Sequence, residues 1–447
     1  MLRSSFLSFA LILLLSSQAF SQSDVLQSGP MVGYSTMREV LLWVQTKSSA
    51  DVHFEYWEAG TDRKNARKTD KVRTQKDLAF VAKIVVTPLE PGKKFEYALF
   101  INDKEVKRPY PLKFQTQTLW QFRTDPPAFS FVFGSCSYIN EEKYDRPGNG
   151  YGGEYEIFKS IAEKAPDFML WGGDNVYLRD ADWNSRTGIF HRYTHTRSNS
   201  EMQAILGSAH HYATWDDHDY GPNDSDRSFF QKHLTTEAFN LFWGNLATDV
   251  TGAGGITSYF EWQDCAFFLL DDRYHRAPNY RKTGKREMLG EAQIQWLIDA
   301  LKSSRAPFKF VVTGGQVVND FAYFENYAIF AEERTKLLKA IEDEGIEGVI
   351  FLTGDRHHTV LSMMDRPTSY PLYDFTCSSL TAGSHSPKDG ENSHKVEGTV
   401  VGERNFSVLS VSGERKDREL NIKVFNVEGE MLWERVIKAN DLRSQRR

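Results

Sequence analysis

The sequence predicts an α/β fold, in which a layered domain of alternating strands and helices follows a small β-sandwich domain. From Pro127 onward, short apolar runs typical of strands alternate with segments of helical composition. From about Val25 to Thr124, strand-like runs follow one another, and turn residues such as Pro91-Gly92 separate them. Polar clusters also come directly after several apolar runs of the second region, as they do where buried strands build a site at their carboxyl ends.

The composition is that of a large globular protein. The 447 residues are 40% hydrophobic and 26% charged, which is enough apolar material for a core in two or three domains. The net charge is −6, and the 54 lysines and arginines are mixed with acidic residues along the chain. This distribution argues against a stable nucleic-acid partner and against an anionic membrane surface, and we expect a monomer.

Residues 1–21 have the pattern of a secretory signal peptide. Arg3 supplies a positive charge, Phe6 to Leu15 form an apolar stretch, and cleavage is expected near Ser21. The apolar stretch has about ten residues, whereas a membrane-spanning helix needs roughly 20. An uncleaved N-terminal anchor is the alternative. We therefore expect a secreted or periplasmic protein without a transmembrane segment.

Residues 25–124 predict a small β-sandwich of immunoglobulin or fibronectin type. Several of its strand-like runs alternate polar and apolar residues. The runs are Val40–Val44, Val52–Trp57, Phe80–Val86 and Phe95–Phe100. No cluster of metal-binding side chains occurs in this region, so we expect it to flank or shield the second domain.

Residues 127–447 predict the layered α/β domain, which ends in a β-hairpin. Helices are predicted at 154–164, 201–209, 236–245, 291–302 and 331–344, where apolar residues recur at steps of three and four. Strands are predicted at Phe129–Phe133, Cys265–Leu270 and Phe308–Val312, and before each polar cluster. The hairpin joins Glu419–Phe425 to Met431–Val436, and we expect it at a sheet edge.

Four polar clusters carry the chemistry of the chain. They are Gly134-Ser135-Cys136, Gly172-Gly173-Asp174-Asn175-Val176-Tyr177, Trp215-Asp216-Asp217-His218-Asp219-Tyr220 and Thr353-Gly354-Asp355-Arg356-His357-His358. Their thiol, carboxylate, phenol and imidazole groups are metal ligands. One such cluster is weak support, but four predict a multinuclear metal centre and make a metallohydrolase the leading hypothesis.

Asp174 and Tyr177 suit a site that holds a hard trivalent ion. An aspartate at a strand end can bridge two cations through its two oxygens, and a phenolate three residues later can bind ferric iron. The alternative is an N-cap aspartate with a packing tyrosine. Cys136 stands in the same position after its own strand and glycine, and a free thiol in an oxidising compartment is better explained as a metal thiolate.

Asp216, Asp217, His218 and Asp219 form a run of four titratable residues. One carboxylate can bind a divalent ion, while His218 serves as a proton donor or phosphate contact. Alternation alone leaves open which of the three aspartates points inward. Asn223 follows in a turn and is a candidate substrate contact, with turn chemistry as the alternative explanation.

Asp355 and His357, at positions i and i+2 of an extended strand end, are expected to point the same way and to reach one bimetallic site. Gln316 and Asn319 follow another strand that ends in glycine. Neutral amides are poor ligands except for hard cations such as calcium, so we expect these two residues to line the site. Arg197 is a candidate contact to phosphate oxygens, and a solvated helix charge is the alternative.

Together these motifs resemble those of the PhoD-type alkaline phosphatases, within the calcineurin-like metallophosphoesterases. The matching motifs are Gly-Ser-Cys ending at Cys136, Gly-Gly-Asp-Asn-x-Tyr ending at Tyr177, Trp-Asp-Asp-His-Asp-Tyr-Gly-x-Asn-Asp from Trp215, and Gly-Asp-Arg-His ending at His357. The likeness extends from about Val25 to about Leu380. The set is specific, whereas each motif alone is not.

The resemblance implies an αββα metallophosphoesterase sandwich with a mixed Fe(III) and Ca(II) centre. It implies that Cys136, Asp174, Tyr177 and His357 hold the ferric ion. It also implies that Asp174 bridges to calcium, that Asp217 and Asp355 bind calcium, and that His218 assists the leaving group. Asp217 and Asp355 replace an Asn and a His of the wider superfamily, which favours calcium over zinc or manganese.

The leading function is therefore a secreted hydrolase that releases phosphate from phosphomonoesters, with diesters as a further class, by a metal-bound hydroxide. Two alternatives stay open. One is a phosphodiesterase acting on teichoic acid, phospholipid or nucleic acid, since no feature of the sequence determines the ester class. The other is a non-catalytic secreted binding protein with a degenerate centre, against which the complete set of expected ligands argues.

Overall fold

The computed structural model describes residues 25–323, 325–387 and 392–444, and the predicted signal peptide of residues 1–21 lies outside these ranges. The strands in them are β1 (Leu26–Ser35), β2 (Val40–Thr46), β3 (Asp51–Glu58), β4 (Arg67–Lys68), β5 (Val72–Arg73), β6 (Val81–Val86), β7 (Lys94–Ile101), β8 (Lys104–Val106), β9 (Lys113–Gln115), β10 (Phe129–Gly134), β11 (Phe168–Gly172), β12 (His210–Thr214), β13 (Ser258–Trp262), β14 (Cys265–Leu269), β15 (Lys309–Val312), β16 (Val349–Thr353), β17 (Val360–Met364), β18 (Leu372–Thr376), β19 (Asn405–Ser412), β20 (Glu419–Asn426) and β21 (Met431–Lys438). The α-helices are α1 (Ile157–Glu163), α2 (Arg186–Arg197), α3 (Gln203–Ser208), α4 (Asp217–Tyr220), α5 (Lys232–Phe242), α6 (Glu291–Ser303) and α7 (Ala331–Asp343).

Within the described residues, the strands form two large sheets and one smaller sheet. The first large sheet has nine strands in the order β21-β20-β19-β10-β11-β12-β1-β2-β6. The second has six strands in the order β13-β14-β15-β16-β18-β17. The smaller sheet has the order β4-β3-β7-β8, with β5 paired to β3 and β9 paired to β7.

The two large sheets pack face to face through aromatic side chains. The ring of Phe131 in β10 lies 5.4 Å from that of Phe267 in β14, and Phe168 in β11 meets the same ring at 5.4 Å. Residues that alternate with these, such as Met169 and Trp171, point to the opposite face and pack in a second core with α1, α2, α3 and α5. Side chains of α6 and α7 belong to the core shared by the two sheets. This layering confirms the predicted αββα sandwich.

The N-terminal strands form a small β-sandwich that shares a sheet with the rest of the chain. Strands β1, β2 and β6 pack through residues such as Val32 and Leu42 against Phe54 and Leu99 of the smaller sheet. Strand β1 also pairs in parallel with β12, with Val32 opposite His210. Because of this pairing, the division into units 25–124 and 127–447 stays a prediction.

Most predicted elements are present, including the C-terminal hairpin, which forms the β21 edge of the nine-stranded sheet. Helix α2 was not predicted, because its sequence is polar around most of its circumference and shows little apolar periodicity. None of the helices in the described ranges combines the length and apolar character that crossing a bilayer requires.

We expect His210 to make folding stability depend on pH. The imidazole is fully buried: its Nδ1–H donates to the Gly33 carbonyl oxygen at 2.8 Å, and its Nε2 accepts from the Gln115 N–H at 3.1 Å. Burial lowers the pKa of His210 to about 4. Because the unfolded chain binds this proton from about pH 6.5 downward, the contribution of His210 is complete above pH 6.5 and is lost as the pH falls toward 4.

Between pH 7 and 5 the free energy of unfolding should fall by about 2 kcal/mol through this group. Urea unfolding at both pH values measures the change. The His210→Asn variant should lose that part of the pH dependence, whereas the exposed control His233→Asn should keep it. Equal pH dependence in the two variants would contradict the assignment.

Candidate metal centre

The four polar clusters meet at one edge of the two large sheets. Strands β10, β11 and β12 run parallel in the nine-stranded sheet, and β14, β15 and β16 run parallel in the six-stranded sheet. The clusters follow the carboxyl ends of β10, β11, β12 and β16. Open α/β sheets bind their ligands at this edge.

Cys136, Asp174, Tyr177 and His357 form a first group. Single ligand atoms of Cys136, Asp174 and His357 lie within 4.8 Å of one another. The Asp174 carboxylate oxygen Oδ2 is 3.7 Å from the Cys136 sulfur and 3.0 Å from the Tyr177 hydroxyl. The Tyr177 hydroxyl is in turn 3.4 Å from Nε2 of His357. The structure therefore brings together all four residues predicted to hold iron.

A second group adjoins the first and shares Asp174 with it. Ligand atoms of Asp174, Asp217 and His218 lie within 4.8 Å of one another, as do those of Asp216, Asp217 and Asp355. Asp174 thus belongs to two groups, and Asp217 connects the second group to Asp355. Two overlapping sets that share one aspartate are the arrangement that a pair of cations requires.

The hydrogen bonding of the acidic residues independently indicates that this site suits multivalent cations. Among the described residues, Asp217 Oδ1 and Asp216 Oδ2 are buried and have no hydrogen-bond partner. Buried carboxylate oxygens are almost always hydrogen-bonded or bound to a metal. The Asp216 carboxylate already pairs with Arg273, whereas Asp217 lies beside Asp174 and Asp355, so a cation satisfies the Asp217 oxygen better than a further hydrogen bond.

The pKa values of the proposed ligands also indicate that the site suits cations. Burial, with the neighbouring Asp217, raises the pKa of Asp174 well above its usual range. Burial raises the pKa of the Cys136 thiol to about 11, and burial with Asp174 raises that of Tyr177. Burial raises the pKa of Asp355 to about 7 despite Arg356. At these four groups the protein alone therefore disfavours the anionic form that a cation would stabilise.

Four of the proposed ligands have a left-handed backbone. The φ angles are 59° at Cys136, 53° at Asp174, 64° at Asp355 and 55° at His357. Such conformations cost about 1–3 kcal/mol each in non-glycine residues and concentrate at functional sites. The expectation that Asp355 and His357 continue an extended strand is therefore wrong, because β16 ends at Thr353. They reach the site through a tight turn instead.

Asp219 connects two of the clusters. Its carboxylate accepts hydrogen bonds from the backbone N–H groups of Asn175, Val176 and Asp216. Asp216 in turn caps the first turn of α4 by accepting from the Asp217 N–H at 2.9 Å. Of the three aspartates that the sequence left open, Asp217 faces the centre, Asp216 caps α4 and pairs with Arg273, and Asp219 positions the backbone.

Arg273 is a fully buried cation behind the acidic groups. Its guanidinium forms an ion pair with Asp216 and another, at 2.8 Å, with Glu325. A single cation among several buried carboxylates offsets part of their repulsion, and Arg273 and His218 together hold the pKa of Asp217 below its usual range although burial raises it. Arg273 thus stabilises the carboxylates without occupying the place of a metal ion.

Of the candidate substrate contacts, Asn223 lines the large cavity above the centre together with Asp355 and His357. Gln316 and Asn319 do not line this cavity: they are buried, and Asn319 donates to Oε1 of Gln316 at 2.7 Å. Arg197 does not line it either. Its guanidinium is buried 3.9 Å from the Trp243 ring centroid, so neither a phosphate contact nor a solvated helix charge describes it.

Three residues at the site were not predicted from the sequence. Glu325 and Asp224 form a further acidic group with Asp217, with ligand atoms within 4.8 Å. The Tyr151 hydroxyl lies 3.0 Å from Nδ1 of His357, a nitrogen that also faces the Gly383 carbonyl. Asp224 could have been predicted from the sequence, because an acidic side chain directly after Asn223 is a candidate metal ligand. Tyr151 and Glu325 lie in loops without a motif, so only the fold places them.

Comparison with known proteins agrees with this geometry. The model of the PhoD-like phosphatase family matches residues 131–416, which is more than half of the chain. The chain belongs to the PhoD-like phosphatase family. Its phosphoester hydrolase activity follows from that membership, and the groups at the strand ends are suited to bind metal. A second model, a domain of unknown function (DUF7800), matches residues 23–119.

Two solved structures are similar to the whole chain. The structure of PhoD is 18% identical with a TM-score of 0.72, covering 93% of this chain and 90% of that one. The purple acid phosphatase PPD1 from seeds of yellow lupin (Lupinus luteus) is 11% identical with a TM-score of 0.67, covering 93% of this chain and 76% of that one. At these identities the likeness shows the fold alone. No curated protein sequence matches the chain.

We expect Asp219→Ala to disorganise the centre without removing any proposed ligand. Three backbone N–H groups lose their acceptor, and each buried group left unpaired costs about 1–3 kcal/mol. The free energy of unfolding should fall by at least about 2 kcal/mol, and bound metal should decrease. Denaturant unfolding and mass-spectrometric metal analysis measure both effects.

The control is Asp226→Ala, whose carboxylate accepts from the Ser228 N–H in a nearby loop. It should change neither metal content nor stability appreciably. Metal content and stability that stay at the wild-type level in Asp219→Ala would contradict the positioning role of Asp219.

Proposed function

We propose that the chain is an exported, metal-dependent enzyme that hydrolyses phosphomonoesters, with phosphodiesters as a further substrate class. The observation that supports the proposal most is the pair of overlapping ligand groups that share Asp174 at the carboxyl ends of the strands. Family membership supplies the reaction class. Export rests on the signal-peptide pattern of residues 1–21.

Cys136, Asp174, Tyr177 and His357 would hold Fe(III). A thiolate and a phenolate are charged donors that favour a trivalent ion, and the imidazole completes the set. His357 can present Nε2 to the ion because its Nδ1–H donates a hydrogen bond to the Gly383 carbonyl oxygen. The Nε2 atom is the one that points to the Tyr177 hydroxyl.

Asp174, Asp217 and Asp355 would hold Ca(II). All three offer carboxylate oxygens, which are the preferred ligands of this hard cation. One oxygen of Asp217 accepts from the Asp224 N–H at 2.7 Å, so the carboxylate is oriented while its other oxygen has no protein partner among the described residues. The Asp217 carboxylate is therefore held in one orientation by Asp224. Because its pKa lies below the usual range, it is also anionic.

Bound cations of this kind neutralise the phosphate charge and lower the pKa of an attacking water. His218 would carry the proton that the departing alkoxide takes up. Its backbone N–H donates to Asp174 Oδ1 at 3.3 Å, and its ring packs 4.3 Å from the Tyr177 ring centroid, so the imidazole is oriented at the centre. Burial lowers the pKa of His218, and Asp217 opposes that effect.

The alternatives make different demands. A monoesterase should turn over p-nitrophenyl phosphate faster than bis-p-nitrophenyl phosphate, and a phosphodiesterase should show the reverse order. A binding protein with a degenerate centre should turn over neither compound. It should also contain no metal after purification without chelator, whereas the unpartnered carboxylate oxygens favour a metal-loaded centre.

We expect Cys136→Ala to remove iron, visible colour and turnover together, because the thiolate is a charged ligand of the ferric ion. Elemental analysis, the visible absorption spectrum and hydrolysis of bis-p-nitrophenyl phosphate measure the three quantities. The control is Cys265→Ala, since Cys265 is a buried thiol of β14 outside the metal groups. It should keep iron and colour. Retention of iron and full turnover in Cys136→Ala would refute the ligand assignment.

We expect a calcium-selective chelator to abolish turnover while the iron colour persists. The carboxylate group releases a hard, weakly held cation more easily than the thiolate and phenolate group releases iron. Added calcium should restore turnover, and Asp355→Asn should weaken that restoration. Restoration by zinc but not by calcium would show that the second cation is not calcium.

A further inference from the structure

The cavity above the metal centre is much larger than a phosphate group. Its volume is about 1160 Å³, and Asp355 and His357 line one part of it. Sites for small molecules and cofactors usually measure roughly 300–1,000 Å³. The cavity therefore has space for a substrate with a substantial non-reacting part, and the other walls indicate what that part is.

One wall is a basic loop, residues 279–286, with the sequence Asn-Tyr-Arg-Lys-Thr-Gly-Lys-Arg. Arg281 and Lys282 line the cavity and are exposed. Neither forms an ion pair with any residue that the structure describes. Lys285 instead pairs with Glu287 at 2.9 Å, and Arg286 donates to the carbonyl oxygens of Asn279 and Ile329.

Two exposed tyrosine rings line the same cavity as these cations. Tyr280, in the basic loop, is 86% exposed, and Tyr151, near the metal groups, is 46% exposed. Both line the cavity. Tyr151 is oriented by its hydroxyl contact with His357, whereas the Tyr280 ring presents its faces to solvent. Cationic side chains next to exposed aromatic rings are the combination that binds nucleotides, through phosphate charge and base stacking.

The charge of the basic loop is local. The chain as a whole carries a net charge of −6, and the metal end of the cavity is acidic. In the proposed function, cations at the metal centre bind the phosphate that reacts. Arg281 and Lys282 are then available to a second anionic group of the same substrate, some distance from the first.

We propose that the cavity binds a nucleotide phosphodiester, with the reacting phosphate at the metal centre, a base against Tyr280 and a second phosphate at Arg281 and Lys282. The proposal rests on the proposed function and names its substrate class. A chain of glycerol phosphate units would use the cations equally well but has no planar group to stack on an exposed ring. The Tyr280 ring therefore favours the nucleotide.

The test uses the metal-loaded enzyme and three phosphodiester substrates. Bis-p-nitrophenyl phosphate has no base, the dithymidine monophosphate TpT has bases and one phosphate, and the trinucleotide TpTpT has bases and a second phosphate. The wild-type kcat/KM should be greatest for TpTpT. Arg281→Ala combined with Lys282→Ala should lower kcat/KM for TpTpT by roughly tenfold, mainly through KM, and should flatten its dependence on salt concentration. Turnover of bis-p-nitrophenyl phosphate should stay within about twofold, since it carries no second phosphate.

Tyr280→Ala should raise KM for both nucleotides by roughly five- to a hundred-fold, the range that loss of one base-stacking contact produces. The matched control is Lys285→Ala, which removes a cation of the same loop that does not line the cavity. Lys285→Ala should leave all three substrates unchanged.

Three outcomes would overturn the proposal. Equal effects of the double variant on all three substrates, or no effect on any, would show that the basic loop is not a second-phosphate site. Faster turnover of an oligo(glycerol phosphate) than of TpTpT, unaffected by Tyr280→Ala, would show that the substrate is a polyol phosphate polymer. Failure of the wild type to hydrolyse both p-nitrophenyl phosphate and bis-p-nitrophenyl phosphate would instead overturn the proposed function on which this inference rests.

Discussion

Crowding of buried acids at one sheet edge is the constraint on which the other features of the site depend. Asp174 and Asp217 are buried close to each other, and Asp355 lies beside Asp217 where the cavity begins, so like charges repel strongly with little screening by water. Arg273 offsets part of this repulsion from behind, and unpartnered carboxylate oxygens face the centre. Cations bound in front would complete the compensation. The suitability of the site for cations thus follows from how the strands end, before any reaction is considered.

Placing these acids has a conformational cost that the fold sustains. The ligand turns after β10, β11 and β16 contain left-handed non-glycine residues, each costing about 1–3 kcal/mol. Gly173 allows the close approach of two turns, since a Cβ there would lie 2.9 Å from Cβ of Asp216. Asp219 then joins the backbones of two clusters through three N–H groups. The aromatic core between the sheets is closely packed and keeps the strand ends in register. The strained turns therefore cannot relax to another conformation.

The cavity combines two regions of opposite charge. Its floor is acidic and suited to cations, whereas the basic loop with Arg281 and Lys282 is suited to anions. Once the floor is loaded with cations, both regions would attract a substrate with more than one phosphate. The N-terminal sandwich contributes β1, β2 and β6 at one edge of the same sheet, joined to it by the pairing of β1 with β12. This pairing makes the sandwich part of the scaffold that positions the strand ends.

The sequence by itself determined the layered fold and the ligand types, because strand periodicity and the residues just after a strand are local properties. Cys136, Asp174 and His357 each follow a strand and a glycine, whereas Asp217 was chosen from its run of acids only through the family resemblance. Tertiary structure alone decided the rest. Arg197 is buried against Trp243, Gln316 and Asn319 lie outside the cavity, Tyr151 and Glu325 lie at the centre, and the basic loop lines the cavity above it. The physical reason is that loops meet across two packed sheets, and the spacing of residues along the chain does not encode which loops meet.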